Sequence, residues 1–318
     1  MKKILITGIS GFAGHYLAEL LLSFPDSEIH GTYHSDDGLT RLGDLARKLI
    51  LHKADLTEEE QVSALISEVR PDQIYNLAAQ TSPGESIKNP AKTLTTNMLS
   101  QLYLFTAVKE FVPESRVLAV SSGDIYGGVK ADDLPVDEDT PLRPGNPYAV
   151  SKITQDYLAL EFYLADKLSI IRARPFDHMG PRQQPKFVVP MFAKQIADIE
   201  KGQQEPILKV GNLNARKDFT DVRDIVKAYA LLMEKGEPGE AYNIGSGKSH
   251  GIQEILDILL SFSDAKISVE VDKFLYRPVD SPDIYCNYAK LENLTGWKPE
   301  IPLENTLKET LDYFRKVV

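Results

Sequence analysis

The sequence predicts an α/β protein: a Rossmann-type doubly wound parallel sheet with a smaller, interleaved C-terminal α/β domain. Three observations carry that reading. Through the first half, short apolar runs of strand length alternate with longer amphipathic patterns, the signature of a parallel sheet covered by helices. A glycine-rich loop follows the first apolar run directly and opens the first helical pattern. Beyond Pro175 the texture changes to Pro- and Gln-rich connections, yet strand and helix signals return after it.

A chain of 318 residues is long enough to bury a large core and suits about two domains. A formal charge of -10 disfavours nucleic acid and acidic membrane surfaces as partners. Any phosphate-bearing ligand must then be held by local arginines and backbone amides. Cys286 is the single cysteine, which excludes an intrachain disulfide and fits a reducing cytoplasm. The start, Met1-Lys2-Lys3-Ile4-Leu5-Ile6-Thr7-Gly8, superficially has the pattern of a signal peptide. Its apolar run stops at Gly8 with no small-residue cleavage site after it, which favours a buried strand. With no long apolar stretch either, a soluble cytoplasmic protein is expected.

In order, residues 4–7 read as a buried strand and 15–24 as an amphipathic helix closed by Pro25. Strands follow at 28–33 and 73–77, with a helix at 57–69 between them. A long helix spans 91–110, then come a strand at 116–120, a helix at 147–164 and a strand at 169–173. In the second half, helices are expected near 190–201, 221–235 and 303–316, with a short strand at 241–244. No internal repeat or low-complexity linker separates the halves. The expected division is residues 1–174 plus 217–247 for nucleotide binding, and 175–216 plus 248–318 for a second ligand.

Gly8-Ile-Ser-Gly11-Phe-Ala-Gly14 joins the first strand to the first helix. Glycines there permit a tight turn and let backbone approach a pyrophosphate, whose charge meets the helix N-terminus. The spacing is three-three rather than the usual two-three. Asp55-Leu56 lies just past a predicted strand, where an acid can reach an adenine amino group. Thr57 could instead cap the following helix, leaving Asp55 as a helix N-terminal carboxylate. Thr32-Tyr33-His34-Ser35 stands where a strict NAD binder offers a carboxylate to the ribose. Asp36 and Asp37 are displaced from that place, and His34 and Arg41 are the candidates for a 2′-phosphate. The cofactor expected is NADP or NAD.

Tyr148-Ala-Val-Ser-Lys152 puts a phenol and an ammonium four residues apart on one helix face. A nearby cation favours the phenolate, so Lys152 is expected to lower the Tyr148 pKa toward neutrality for proton transfer. Ser121-Ser122-Gly123-Asp124-Ile125-Tyr126-Gly127 follows a strand, at the sheet edge where ligands bind in open α/β folds. A serine there can bond the same oxygen that Tyr148 protonates.

With Asn76-Leu77-Ala78-Ala79-Gln80, Asn97 and Arg174-Pro175 added, the ordered set resembles the extended short-chain dehydrogenase/reductase family across essentially the whole chain. These are NAD(P)-dependent nucleotide-sugar epimerases, dehydratases and reductases. The resemblance implies a catalytic set of Ser122, Tyr148 and Lys152, with Lys152 also bonding the nicotinamide ribose. Gly8, Gly11, Phe12, Gly14, His34, Asp55, Leu56, Leu77, Ala78 and Ala79 would hold the cofactor.

Pro175-Phe176-Asp177-His178-Met179-Gly180-Pro181, Gly211-Asn212-Leu213-Asn214-Ala215-Arg216-Lys217-Asp218-Phe219 and Arg277-Pro278-Val279-Asp280 resemble the GDP-mannose branch. That likeness implies a GDP-linked nucleoside-diphosphate sugar as partner. Arg216 and Arg277 would hold its diphosphate, Asp280 its ribose, and Gln80 and Asp177 would contact it too. Such 4,6-dehydratases carry Thr-Ser-Glu where Ser122, Gly123 and Asp124 stand. An aspartate is one methylene shorter, which favours a 4-keto reductase, with a dehydratase using Asp124 as base or a 4-epimerase as alternatives. A noncatalytic NAD(P)-sensing protein is the remote one. Two departures are Asp177, where relatives usually have asparagine, and Arg182, where many have glycine. His178 reads as a pocket or core histidine, and no metal site is expected. Leu94, Leu102, Phe105, Leu158 and Phe162 give the 91–110 and 147–164 helices broad apolar faces, mostly core. By resemblance these helices also form a homodimer interface.

Overall fold

The structure, a computed structural model, describes residues 1–275 and 283–318. Arg277 and Asp280 lie outside the described residues. A seven-stranded parallel sheet forms the first lobe. Its strands are β1 (Lys2–Thr7), β2 (Ser27–Tyr33), β3 (Ile50–Lys53), β4 (Gln73–Asn76), β5 (Arg116–Val120), β6 (Ser169–Pro175) and β11 (Ala241–Ile244), in the order β11-β6-β5-β4-β1-β2-β3. The strand order reverses beside β1, so the crevice for a ligand opens over its C-terminal end.

Successive strand residues point to opposite faces. Ile4 and Ile6 therefore join the core under α1 (Phe12–Leu21) and α8 (Val222–Lys235), while Leu5 joins the one under α3 (Glu59–Val69), α5 (Pro90–Phe111) and α6 (Pro147–Asp166). Both faces being covered explains why the strands read as continuous apolar runs. Phe105 and Phe162 meet edge to face at 5.4 Å between α5 and α6. Leu94, Leu102 and Leu158 are half-buried beside them.

The second lobe has its own core around Phe192, Ile196, Leu256, Leu307 and Leu311. It contains β7 (Asp177–Met179), α7 (Val188–Glu200), β8 (Ile207–Val210), β9 (Arg216–Lys217) and β10 (Phe219–Asp221) before the chain returns to the sheet. After β11 come β12 (His250–Gly251), α9 (Ile252–Ser261), β13 (Ser268–Val271), β14 (Asp283–Ile284), α10 (Ala289–Thr295) and α11 (Leu303–Val317). Leu291 of α10 and Trp297 turn back into the first lobe's core.

Several elements differ from the sequence expectation. The first helix begins at Phe12 rather than at residue 15, because Gly11 serves as its extended N-cap. The third helix begins at Glu59 because Asp55 captures both the amide and the hydroxyl of Thr57, at 2.9 and 2.7 Å. Thr57 is therefore no cap. The seventh begins at Val188, since Pro190 needs no hydrogen-bonding amide in a first turn. Two short helices, α2 (Asp36–Leu42) and α4 (Pro83–Lys88), are capped by Ser35 and Ser82 and had no periodic signal to announce them.

Candidate active site

Gly8 ends β1 at φ +68, and a Cβ there would lie 2.9 Å from Ala78 Cα. At Gly14 a Cβ would lie 2.6 Å from Gly8 O. At both glycines the backbone packs too closely for any side chain, and the tight loop so formed is the cradle that opens the ten-residue α1. Phe12 forms its first turn. The arrangement fits the phosphates of a dinucleotide. Thr7 fastens the cradle to the neighbouring loop. Its hydroxyl donates to Asn76 Oδ1 at 2.8 Å and accepts from the amides of Leu77 and Ala78, each at 3.1 Å. Leu77, Ala78 and Ala79 thus run alongside the glycine loop. Thr7 escaped the sequence reading, although a hydroxyl closing an apolar strand was its signal.

At the ends of β2 and β3, Asp36 and Asp55 are engaged. Asp36 pairs with Lys53 at 2.9 Å. The Thr57 bonds hold the Asp55 carboxyl below its ordinary range, and Asp55 N donates to Gln61 Oε1 at 3.0 Å. His34 is exposed, 3.9 Å from Asp55, and Leu56 is buried.

Helix α6 carries Tyr148 and Lys152, with Asn146 as cap and Pro147 in its first turn. Both side chains are buried. The ammonium of Lys152 turns to β5 and donates to Val120 O at 2.9 Å. Burial brings its pKa down to about 7. The expected depression of Tyr148 is reversed: burial, with help from the Asp124 and Asp177 charges, pushes the phenol up, and a Ser122 hydrogen bond only partly opposes it. The Lys152 head group is spent instead on a backbone carbonyl of β5. Ser122 Oγ accepts from Asp124 N at 3.2 Å, so its own proton is available on the side of the Tyr148 oxygen. Ser122, Asp124, Tyr148 and Asp177 therefore converge.

Two networks hold this group. Asn97 accepts from Gln80 N at 2.7 Å, and donates to Gln80 O at 3.0 Å and to Ser151 Oγ at 2.8 Å; Ser151 in turn donates to Tyr148 O at 2.7 Å. Gln80 is thereby fixed beside α6, with its Oε1 buried and unpartnered. On the far side, Arg174 grips Asp156 through two contacts of 2.9 Å and donates to the Tyr126 hydroxyl at 3.0 Å. This buried fork bolts α6 to β6. The sequence reading missed Asp156, whose signal was an acid two turns past Tyr148.

In the second lobe, Arg216 is exposed on β9, donating to Ser249 Oγ at 3.2 Å and to Ser249 O at 2.7 Å. Asp218 beneath it is fully buried and accepts from the amides of Ser246, Gly247 and Cys286 at 2.6, 3.0 and 3.2 Å. His178 is held neutral by burial, donates to Phe176 O at 3.1 Å, and stacks on Phe12 at 5.9 Å. Arg182 has φ +70, the left-handed backbone that favours glycine; it is held by Glu19 at 2.9 Å and lies over the Tyr16 ring. Among the described residues, no cluster suits a metal ion and no helix is long and apolar enough to cross a membrane.

The model of the GDP-mannose 4,6 dehydratase family matches residues 5–310. GDP-6-deoxy-D-mannose reductase of Pseudomonas aeruginosa is 34% identical, over 98% of this chain and 96% of its own length. GDP-mannose 4,6 dehydratase of Dictyostelium discoideum is 29% identical over 97% and 94%. Among solved structures, RMD from Pseudomonas aeruginosa complexed with NADPH superposes with a TM-score of 0.87 at 32% identity, covering both chains fully. UDP-glucose 4-epimerase of Thermotoga maritima, with UDP-glucose, gives 0.88 at 26%, over 99% of each chain. The cradle, the Ser122–Tyr148–Lys152 group and these full-length likenesses agree: the chain belongs to the GDP-mannose 4,6 dehydratase family of extended short-chain dehydrogenases/reductases.

Proposed function

We propose that this protein is a GDP-6-deoxy-4-keto-D-mannose reductase, which uses NADPH or NADH to reduce the 4-keto group and forms GDP-rhamnose. One observation carries the reading: a buried phenol lies beside Ser122, with the Asp124 and Asp177 charges acting on it. Gly8, Gly11, Phe12 and Gly14 would hold the cofactor phosphates, Asp55 and Leu56 the adenine, and His34 the ribose side. Leu77, Ala78 and Ala79 would line its path, and Lys152 would bond the nicotinamide ribose. Reduced nicotinamide, when bound, supplies a hydride to the carbonyl carbon.

Tyr148 gives its phenolic proton to the carbonyl oxygen. Its upward-shifted pKa keeps that proton loaded at neutral pH, as a reduction needs. Ser122 donates to the same oxygen and polarises the carbonyl. Gln80, Asp177 and Arg216 would contact the GDP-sugar, together with Arg277 and Asp280 outside the described residues. With β9 and β10 in the second lobe, the boundary would move from 217 to 222: residues 1–174 plus 222–247 would be the cofactor domain, and 175–221 plus 248–318 the sugar domain. Exposed Met98, Val150, Tyr157 and Leu164 on α5 and α6 support a homodimer through these helices. The buried free thiol of Cys286 accords with a reducing cytoplasm.

The second reading, a 4,6-dehydratase, is favoured by one feature, the Asp124 charge beside Tyr148. The purified protein given GDP-6-deoxy-4-keto-D-mannose and a reduced cofactor should lose nicotinamide absorbance in step with product. Unchanged absorbance there, with water lost from GDP-mannose alone, would replace the first reading by the second.

A further inference from the structure

Asp218 lies between β9 and β10, is fully buried, and has no part in the proposed reaction. A buried carboxylate costs stability unless its oxygens are well bonded, and those of Asp218 gather two distant stretches of chain. Oδ1 accepts from the amide and the hydroxyl of Ser246, both at 2.6 Å. Oδ2 accepts from the amides of Gly247 and Cys286, at 3.0 and 3.2 Å, and from the Cys286 thiol at 3.5 Å. The first stretch is the loop after β11. It packs directly on the carboxylate, since a Cβ at Gly245 would lie 2.7 Å from Asp218 Oδ2 and 2.6 Å from Cys286 Sγ. Ser246 Oγ accepts from Lys248 N at 3.3 Å, which folds the loop back toward β9.

The same two stretches reach Arg216. Ser249, at the end of the loop, accepts from its guanidinium at 2.7 Å through the carbonyl and 3.2 Å through Oγ. Asp283 stands opposite Arg216 where β14 runs beside β9, and its carboxylate lies 3.8 Å from the guanidinium. Cys286 follows β14 and ties that strand back to Asp218. Both neighbours of the guanidinium are thus anchored to one buried acid. A planar guanidinium meets phosphate oxygens in a fixed geometry, so its direction matters as much as its charge.

We propose that Asp218 is a positioning residue for the nucleotide diphosphate: it touches no ligand, and it aims Arg216 by holding together the Ser246–Ser249 loop and the chain that follows β14. The inference rests on the reading of Arg216 as a diphosphate contact. Asp218→Asn keeps the shape of the side chain but turns an NH2 group toward either Ser246 or the amides of Gly247 and Cys286. One of the two stretches is then released.

The test is a double-mutant cycle of Arg216→Ala and Asp218→Asn on GDP binding, read by calorimetry. KM and kcat for GDP-6-deoxy-4-keto-D-mannose and the Kd for reduced cofactor are measured beside it. Each single variant should bind GDP about tenfold more weakly and raise KM to match, with kcat and cofactor Kd within about twofold of the wild type. The double variant should be no more than about twofold weaker than Arg216→Ala, because Asp218 acts through that one side chain. Losses that multiply to about a hundredfold, a fall in kcat or cofactor affinity in step with GDP, or no loss at all overturns the positioning role alone. An Arg216→Ala variant that binds GDP as the wild type does overturns the diphosphate reading of Arg216 and the positioning role with it. Should Asp218→Asn fail to fold, Ser246→Ala replaces it in the cycle, removing one hydroxyl bond from a half-buried residue. It should weaken GDP about threefold alone and not at all in the Arg216→Ala background; a loss that persists in that background, or none in the wild type, overturns the proposal.

Discussion

At the reacting end, Tyr148 and Lys152 are buried, and the groups around them are bonded to backbone or to each other. At the end proposed to recognise the diphosphate, Arg216 stands half exposed on a two-residue strand, holding a serine and lying 3.8 Å from Asp283. Proton transfer demands fixed geometry and a shifted pKa, and both follow from burial. Diphosphate recognition demands charge that a ligand can reach, so its residues stay at the surface. The contrast implies that damage at the first end should lower turnover or stability, and damage at the second should weaken binding.

The largest expected effect is at Tyr148. Tyr148→Phe keeps the ring and its packing and removes the proton, so kcat should fall by about a hundredfold to ten-thousandfold. KM and the melting temperature should hardly change. A variant that retains more than a tenth of wild-type kcat would mean another group delivers the proton, with Asp124, whose charge acts on the phenol, the first to test.

Next comes Asp156, which touches no ligand in this reading but secures the helix that bears Tyr148. Asp156→Asn leaves Arg172 and Arg174 with uncompensated charge in the interior. The expected loss is about 3–5 kcal/mol in urea unfolding. Arg216→Ala should stay within about 0.5 kcal/mol of the wild type in the same experiment. Its effect should appear instead as a KM for the GDP-sugar raised about tenfold, with kcat within about twofold. A fall in kcat without a change in KM would erase the distinction between the two ends.

Much of the fold was legible because strands buried on both faces leave unbroken apolar runs, and Gly8 and Gly14 mark places where no Cβ fits. The site motifs were legible for the same local reason: Ser122 follows β5 and Tyr148 opens α6. What escaped depends on distant chain. The direction of the Tyr148 shift follows from burial by other elements, and the spacing to Lys152 gave the opposite sign. Nothing local to Arg182 announces its left-handed backbone, which only the structure shows.

The smallest effect sharpens the comparison through pH. Burial lowers the Lys152 pKa to about 7 from 10.5, so between those values the unfolded chain binds more protons than the folded one. Stability contributed by this group therefore rises with pH across that window. Lys152→Met removes the buried amine and keeps most of its length. It should raise the melting temperature of the cofactor-free protein at pH 6.5, and the gain should shrink steadily toward pH 10. The same series on Arg216→Ala should be flat, since a half-exposed guanidinium keeps its charge throughout. A Lys152→Met gain independent of pH would show that packing rather than a buried charge separates the two ends, and would remove the physical basis for assigning proton chemistry to only one of them.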